Sequence, residues 1–377
     1  MLIKYMKKKR ILYFDILNIL ACFGVVCLHQ NGIVHWYDIH TAPFKQSLIF
    51  EVGFFWAVPI FFMLSGATLF DYRSRYSTKE FLLRRAKRVL IPFLFFSVLM
   101  LIWHCSNGTF TIEDYSFSNL LTIILFNQHE SIYWFFLPML ATYLCMPVLS
   151  LLKDQKQILW YMFFVGFLTL SCFPLLFQVI GSAWNTSANF PMTGGYLIFT
   201  ILGYLLATTD FSKKQRASFY VLAICSALFR YFGTIYLSNK AGLLDRTFFN
   251  YMQFHSVFLA CGVFIFFKQI SWDRIFRAPA HIKILTTISS CSFGIYLIHI
   301  VVQYYERSLT NWTPDRLIYR TVGCFITYGV ALAIIFIAKK IPIIKKTNSI
   351  KKEGRIAPFN LSLKPNTYHT SHTDHLM

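Results

Sequence analysis

Apolar residues run in long stretches along this chain, at about 11–30, 46–70, 87–105, 132–152, 158–180, 192–209, 216–237, 248–267, 284–305 and 318–338. Crossing the hydrocarbon core takes about 20 mostly apolar residues. The pattern predicts an all-α integral membrane protein with about ten transmembrane helices, in a domain covering 1–342. The run Leu120–Phe126 is too short to span and reads as an interfacial or re-entrant piece. No small-residue cleavage site follows the first run, and Asp15 and Asn18 interrupt it, so it reads as an uncleaved first span. Residues 343–377 are basic, then polar, and read as a disordered tail. Its His369, His372 and His375 have a metal-compatible spacing, but a solvated tail gives them no scaffold.

The loops give the direction of each span. Of the 36 Lys and Arg residues, 29 fall in the N-terminus, the even-numbered connections and the tail; six fall in the opposite loops. Cytoplasmic loops carry the excess of Lys and Arg, so both termini are expected in the cytoplasm. The same logic reinterprets the formal charge of +20. On a soluble domain it would suggest nucleic acid; here it marks basic loops beside anionic lipid, and no nucleic-acid partner is expected.

Ionisable residues inside a span are costly and become functional candidates. On this orientation seven of the eleven histidines lie in the outer half: His29, His35, His40, His104, His129, His255 and His299. Arg230 lies at similar depth, and Glu51 is near the outer end of the second span. Histidine suits proton transfer near neutrality, and a buried Arg can hold an oxyanion or a sugar hydroxyl. His29, Arg230, His255 and His299 are therefore candidate catalytic or orienting residues. The competing reading is that amphipathic rings populate the interface. Near the inner face, Asp15 can pair with a cytoplasmic-side Arg or, equally, with the positive start of its own helix, and Asn18 can make an interhelical hydrogen bond. Trp36, Trp56, Trp134, Trp184 and Trp312 near the outer interface fit an aromatic belt, or stacking platforms beside a sugar. Arg84-Arg85-Ala86-Lys87-Arg88 serves as a topology signal or as a phosphate-binding cluster.

The nine cysteines sit mostly in apolar runs, without a C-x-x-C pair or zinc spacing, so no metal site is expected. Phosphate-loop, zincin, nucleophile-elbow and dinucleotide motifs are absent from the sequence.

Five segments then occur in order. They are Tyr13-Phe14-Asp15 through Asn18 to Val25-Val26-Cys27-Leu28-His29; Pro59-Ile60-Phe61-Phe62-Met63-Leu64-Ser65-Gly66; the stretch Phe81 to Pro92 with Arg85 and Arg88; Tyr133-Trp134-Phe135-Phe136-Leu137-Pro138 with Tyr143 and Pro147; and Ser292-Phe293-Gly294-Ile295-Tyr296-Leu297-Ile298-His299. Together they resemble the acyltransferase 3 family, the integral-membrane O-acyltransferases of bacterial surface polysaccharides. The resemblance covers about 1–335. It implies a multi-pass plasma-membrane enzyme moving an acyl group, usually acetyl from cytoplasmic acetyl-CoA, to a hydroxyl of a cell-surface or lipid-linked glycan. His29 matches the family's essential histidine and is implied as general base. The family's arginine eleven residues earlier is replaced here by Asn18, at a position implied to face the donor. Arg85 and Arg88 are candidates for the CoA phosphates. The acceptor sugar and oligomeric state are not readable.

Two alternatives stay open. A polysaccharide-precursor transporter would use Gly- or Pro-broken helices in matching halves, and Pro59, Pro138, Pro147 and Pro174 do interrupt spans. A non-catalytic relative is suggested by Asn18.

Overall fold

The computed structural model describes residues 10–111 and 116–340. The tail expected at 343–377, with its three histidines, lies outside them. Among the described residues the secondary structure is helical, without strands.

The helices are α1 (Leu12–Gln30), α2 (Ala42–Gly53), α3 (Ala57–Leu69), α4 (Thr78–Arg85), α5 (Ile91–Ser106), α6 (Phe117–Leu125), α7 (Phe136–Leu149), α8 (Lys156–Gly166), α9 (Phe173–Val179), α10 (Leu197–Thr208), α11 (Lys213–Ala241), α12 (Phe254–Gln269), α13 (Trp272–Ile275), α14 (Pro279–Ser289), α15 (Ser292–Thr310) and α16 (Leu317–Ala338). Among the described residues, seven stretches are long and apolar enough to cross a membrane: Leu12–Gln30, Ala42–Ser74, Thr78–Ser106, Ser131–Leu152, Lys156–Val179, Lys213–Ala241 and Leu317–Ala338. The pair α14 and α15, bent by 55°, makes an eighth if counted as one span. The remaining two of the ten apolar runs fold as the shorter helices α10, of 12 residues, and α12, of 16 residues. The physical reason is enclosure. Along α10, Ile198, Phe199, Ile201, Leu202, Leu205 and Leu206 are buried against protein, so its apolar length is not set by lipid.

Proline and local sequence shape the long stretches. Ahead of Pro92 and Pro174 the helix widens into π-type turns at Ala86–Leu90 and Phe167–Cys172. A proline removes one backbone donor and crowds the carbonyl four residues back, and a wider turn relieves that conflict. Helix α11 starts at a reciprocal Ser212–Gln215 capping box and stops at Gly242, whose φ of +73° suits glycine.

The centre is the crossing of α3 and α10. A Cβ added at Gly66 would lie 1.8 Å from the Thr200 carbonyl oxygen, and one at Gly203 would lie 2.0 Å from that of Met63. Small residues let two backbones approach this closely, which is how apolar helices associate without a water-driven force between them.

Helix α1 runs beside this crossing and parallel to α15. Asn18 Nδ2 donates to Ser289 O at 2.8 Å, Cys22 Sγ to Ser292 O at 3.3 Å, and Gln30 Nε2 to Glu306 Oε2 at 3.0 Å. These contacts climb both helices in step. They define two faces of the bundle, one at the start of α1 and one at its end.

Candidate functional site

At the start-of-α1 face a cavity of about 740 Å³ opens among α1, α3, α4, α7 and α15. That volume falls within the range of about 300–1,000 Å³ usual for small-molecule sites. Its mouth is charged. Asp15 is held by Arg10 through two 2.6 Å bonds, as the sequence suggested. Asp71 accepts from Lys153 at 2.7 Å, and Arg75 donates to Thr68 O at 2.8 Å. Arg85 is different. It lines the cavity, its guanidinium lies over the rings of Phe81 and Tyr143 at 5.8 and 5.6 Å, and its buried Nε has no hydrogen-bond partner among the described residues. Arg88, three residues on, is exposed and is not part of the cavity wall.

Asn18 also lines this cavity, but its amide N–H groups are committed. They reach Ser289 O and, at 3.1 Å, Ser289 Oγ, where α14 ends ahead of the 55° bend. Deeper in, the wall is formed by Phe135, Ser292 and Tyr296.

One turn beyond Tyr296 stands the histidine pair. The rings of His29 and His299 lie 5.1 Å apart, tilted by 48°. His299 is fully buried, and its Nδ1 meets the Tyr296 carbonyl oxygen at 2.7 Å. A carbonyl only accepts, so Nδ1 carries the proton in the neutral ring and Nε2 presents its lone pair. That Nε2 is buried with no partner among the described residues. His29 is half-buried, and no hydrogen bond joins its side chain to a described residue. Two imidazoles from parallel helices therefore meet with hydrogen-bonding capacity unspent.

The other candidates lie apart from this pair. Arg230 is buried in α11 with each of its three guanidinium nitrogens in a structural hydrogen bond. Nε donates to Phe248 O at 2.8 Å, Nη1 to Glu51 O at 2.8 Å and Nη2 to Glu51 Oε1 at 2.9 Å, while the ring of Phe55 sits 3.4 Å from the guanidinium carbon. It clamps α11 and the segment before α12 onto the C-terminal end of α2. His255, near Phe55 and Phe248, bonds Gln253 Oε1 at 2.8 Å. His104 bonds Glu130 at 3.2 Å, and His129 Nε2 bonds Ser97 O at 2.9 Å. Burial pushes His129 below the ordinary histidine range. Burial does the same to His35, with Arg246 and Arg230 adding to the effect and Glu51 opposing it. These histidines thus form separate groups, of which His29 and His299 face each other with a free nitrogen on each ring.

Several site residues were not singled out from sequence. Tyr296 orients His299 and closes the deep end of the cavity; its place in the S-x-G-x-Y-L-x-H segment was the available signal. Glu306, buried beside Gln30 and Thr327, accepts from both, at 3.0 and 2.6 Å, and its Oε1 is unpartnered among the described residues. No group of three or more His, Cys, Asp or Glu side chains suited to a metal ion occurs among the described residues.

Compared with known proteins, residues 11–336 match one family model, described as an acyltransferase domain. Neither curated proteins nor solved structures yield a match.

Proposed function

The chain belongs to the acyltransferase 3 family, a multi-pass membrane acyltransferase by its family and its apolar helices, and on that premise we propose that it O-acylates a glycan. The donor is cytoplasmic acyl-CoA, acetyl-CoA in the first instance. The acceptor is a hydroxyl of a cell-surface or lipid-linked sugar. On this reading ten helical segments cross a bacterial plasma membrane with both termini inside, so the cavity opens to the cytoplasm and the histidine pair lies toward the outer half.

The observation that carries the reading is the histidine pair set one turn beyond the cavity's deep end. His29 is the general base. It takes the proton of the acceptor hydroxyl as the oxygen forms its bond to the acyl carbonyl carbon. The carbon–sulfur bond breaks, and the CoA thiolate leaves to be protonated by solvent. His299, locked in one tautomer by the Tyr296 carbonyl, offers its Nε2 lone pair to the His29 ring and so orients it. Arg85, whose Nε has no protein partner, meets the phosphates of the donor at the cavity mouth. Arg88, exposed and off the cavity wall, is assigned to lipid headgroups. Asn18 stays at the helix break, and Arg230 and His255 keep the outer loops in place.

Membranes containing the chain, labelled acetyl-CoA and the glycan fraction of the producing cells provide the test. Label should enter the glycan with the wild-type chain. It should fall by about 10²–10⁴-fold in His29→Ala, the range for a lost general base, at unchanged protein abundance. Full transfer by His29→Ala removes that residue from the mechanism. No transfer by the wild type favours transport of a precursor over acylation.

A further inference from the structure

Resting on the reading that the acceptor is a glycan, we propose that Trp134, Tyr196 and Tyr251 form a subsite for a pyranose ring of that acceptor. The three side chains come from three separate segments, just ahead of α7, α10 and α12. Trp134 lies 5.7 Å from Tyr196 and 5.8 Å from Tyr251 between ring centroids, and is nearly parallel to Tyr251 at 23°. The stack continues inward. Tyr251 lies on Phe55 at 4.1 Å and 14°, and Phe55 lies on the guanidinium of Arg230. A column of planar groups is thus backed by the buried Arg230–Glu51 pair and ends at its open side in Trp134.

Trp134 is the exception in its segment. Ile132, Tyr133, Phe135 and Phe136 are all buried, whereas Trp134 is 37% exposed. The exposure is not slack. Glu130 caps the turn by accepting from Ile132 N, Tyr133 Oη donates to Leu297 O at 2.6 Å, and Tyr296 Oη donates to Ile132 O. Two tyrosines exchanged across the interface therefore bolt the Trp134 turn to α15 within three residues of His299. Ring contacts run unbroken from Trp134 through Phe135, Tyr296 and His299 to His29.

The polar tips add to the match. Four described tyrosines and two tryptophans spend their hydroxyl or indole N–H groups on protein partners; what sets Trp134, Tyr196 and Tyr251 apart from the other uncommitted tips is that they share one aromatic stack with an open end. Among the described residues, no hydrogen bond is formed by Trp134 Nε1, Tyr196 Oη or Tyr251 Oη. A pyranose presents an apolar C–H face that stacks on an aromatic ring and equatorial hydroxyls that meet donors and acceptors at the ring edges. Aromatic faces edged by three uncommitted N–H and O–H groups match that chemistry better than an acyl chain, which would leave the tips unmet.

The test is label transfer from acetyl-CoA to the producing cells' glycan fraction, with acceptor and donor concentrations varied separately. Trp134→Ala should raise the acceptor concentration for half-saturation by about three- to tenfold, the worth of one aromatic stack, with donor half-saturation unchanged. Trp134→Phe, which keeps a stacking face, should recover most of that loss and confirm that the Ala variant is not simply misfolded. Tyr251→Phe, which loses only the hydroxyl, should give a smaller shift of the same kind. An unchanged acceptor half-saturation in Trp134→Ala, with the wild type active, overturns the subsite alone. So does a loss of maximal rate with no acceptor shift, the signature of a lipid anchor. A wild-type chain that labels no glycan overturns the acylation reading and the subsite with it.

Discussion

Arg230→Ala separates a structural clamp from a catalytic arginine. The guanidinium is 1% exposed and makes three hydrogen bonds, two of them to Glu51, which is 5% exposed. Removing it strands the Glu51 carboxylate in an apolar setting and uncovers the Phe248 and Glu51 carbonyls. Breaking a buried pair by deleting one partner costs about 3–5 kcal/mol. That corresponds to a change in the folded-to-unfolded ratio between about a hundredfold and a few thousandfold. The double substitution Arg230→Met with Glu51→Gln removes both charges and keeps similar volume, so it should recover most of the loss, since apolar replacement of a buried pair is often neutral. The assay is thermal unfolding in detergent, followed by the monodisperse elution peak, with acyl transfer normalised to folded protein. The expected result is a lower midpoint for Arg230→Ala, near wild-type behaviour for the double variant, and normalised transfer within a few-fold of wild type for both. A wild-type midpoint with abolished transfer in Arg230→Ala would refute the clamp and return Arg230 to the chemistry.

Two further outcomes follow from packing and titration. Gly203→Ala places a methyl group 2.0 Å from a backbone oxygen that cannot rotate away; it should cost about 3 kcal/mol or more and abolish the monodisperse peak. Gly329→Ala in α16 is the control, with nothing within 4 Å of the added Cβ, and should be neutral or gain up to about 1 kcal/mol of helix propensity. His35 and His129 sit in loops with depressed folded values, while the unfolded chain titrates near about 6.5. As pH falls through about 6.5 the unfolded state takes up protons first, so stability is full above pH 7 and declines toward pH 5. Thermal midpoints across that range should fall in the wild type and fall less in a His35→Gln, His129→Gln variant; a flat or rising wild-type profile contradicts the burial of these rings.

Much of the fold was legible because lipid imposes one rule on every span: length and apolarity. Each of the ten runs is helical, and the short Leu120–Phe126 piece folds as the nine-residue α6. What length cannot report is which helices touch lipid. Helices α10 and α12 are shorter than a lipid-facing span needs to be because other helices cover much of their surface; at α10 the close approach is Gly66 against Thr200 and Gly203 against Met63, between segments more than a hundred residues apart, which no local pattern records. The site followed the same division. Loop charge orients each span, and on that expectation His29, His255, His299 and Arg230 share one layer. Azimuth around the helix is not readable that way. Arg230 and His255, expected in that layer, turn to Glu51, Phe248 and Gln253, and His104 and His129 turn to Glu130 and Ser97. The S-x-G-x-Y-L-x-H segment marked His299, but that its helix faces His29, with Tyr296 orienting the ring, is seen only in the fold.

Asn18 is where residue identity and position part most informatively. A cation there would face the cavity, and on the acylation reading it would meet the donor. The asparagine instead spends its amide on Ser289, at the break that tilts α14 from α15 by 55°. That break sets the angle at which α15 leaves the cavity wall and delivers Tyr296 and His299 to His29. Two aspartates at the mouth are already answered by Arg10 and Lys153, so an anionic donor entering the cavity finds Arg85 as the cation with an unspent buried N–H. On the acylation reading the donor-side charge would be carried from α4 rather than from α1. It follows that Arg85→Gln should weaken donor binding more than Asn18→Ala, whose cost should appear in the stability of the α14–α15 break.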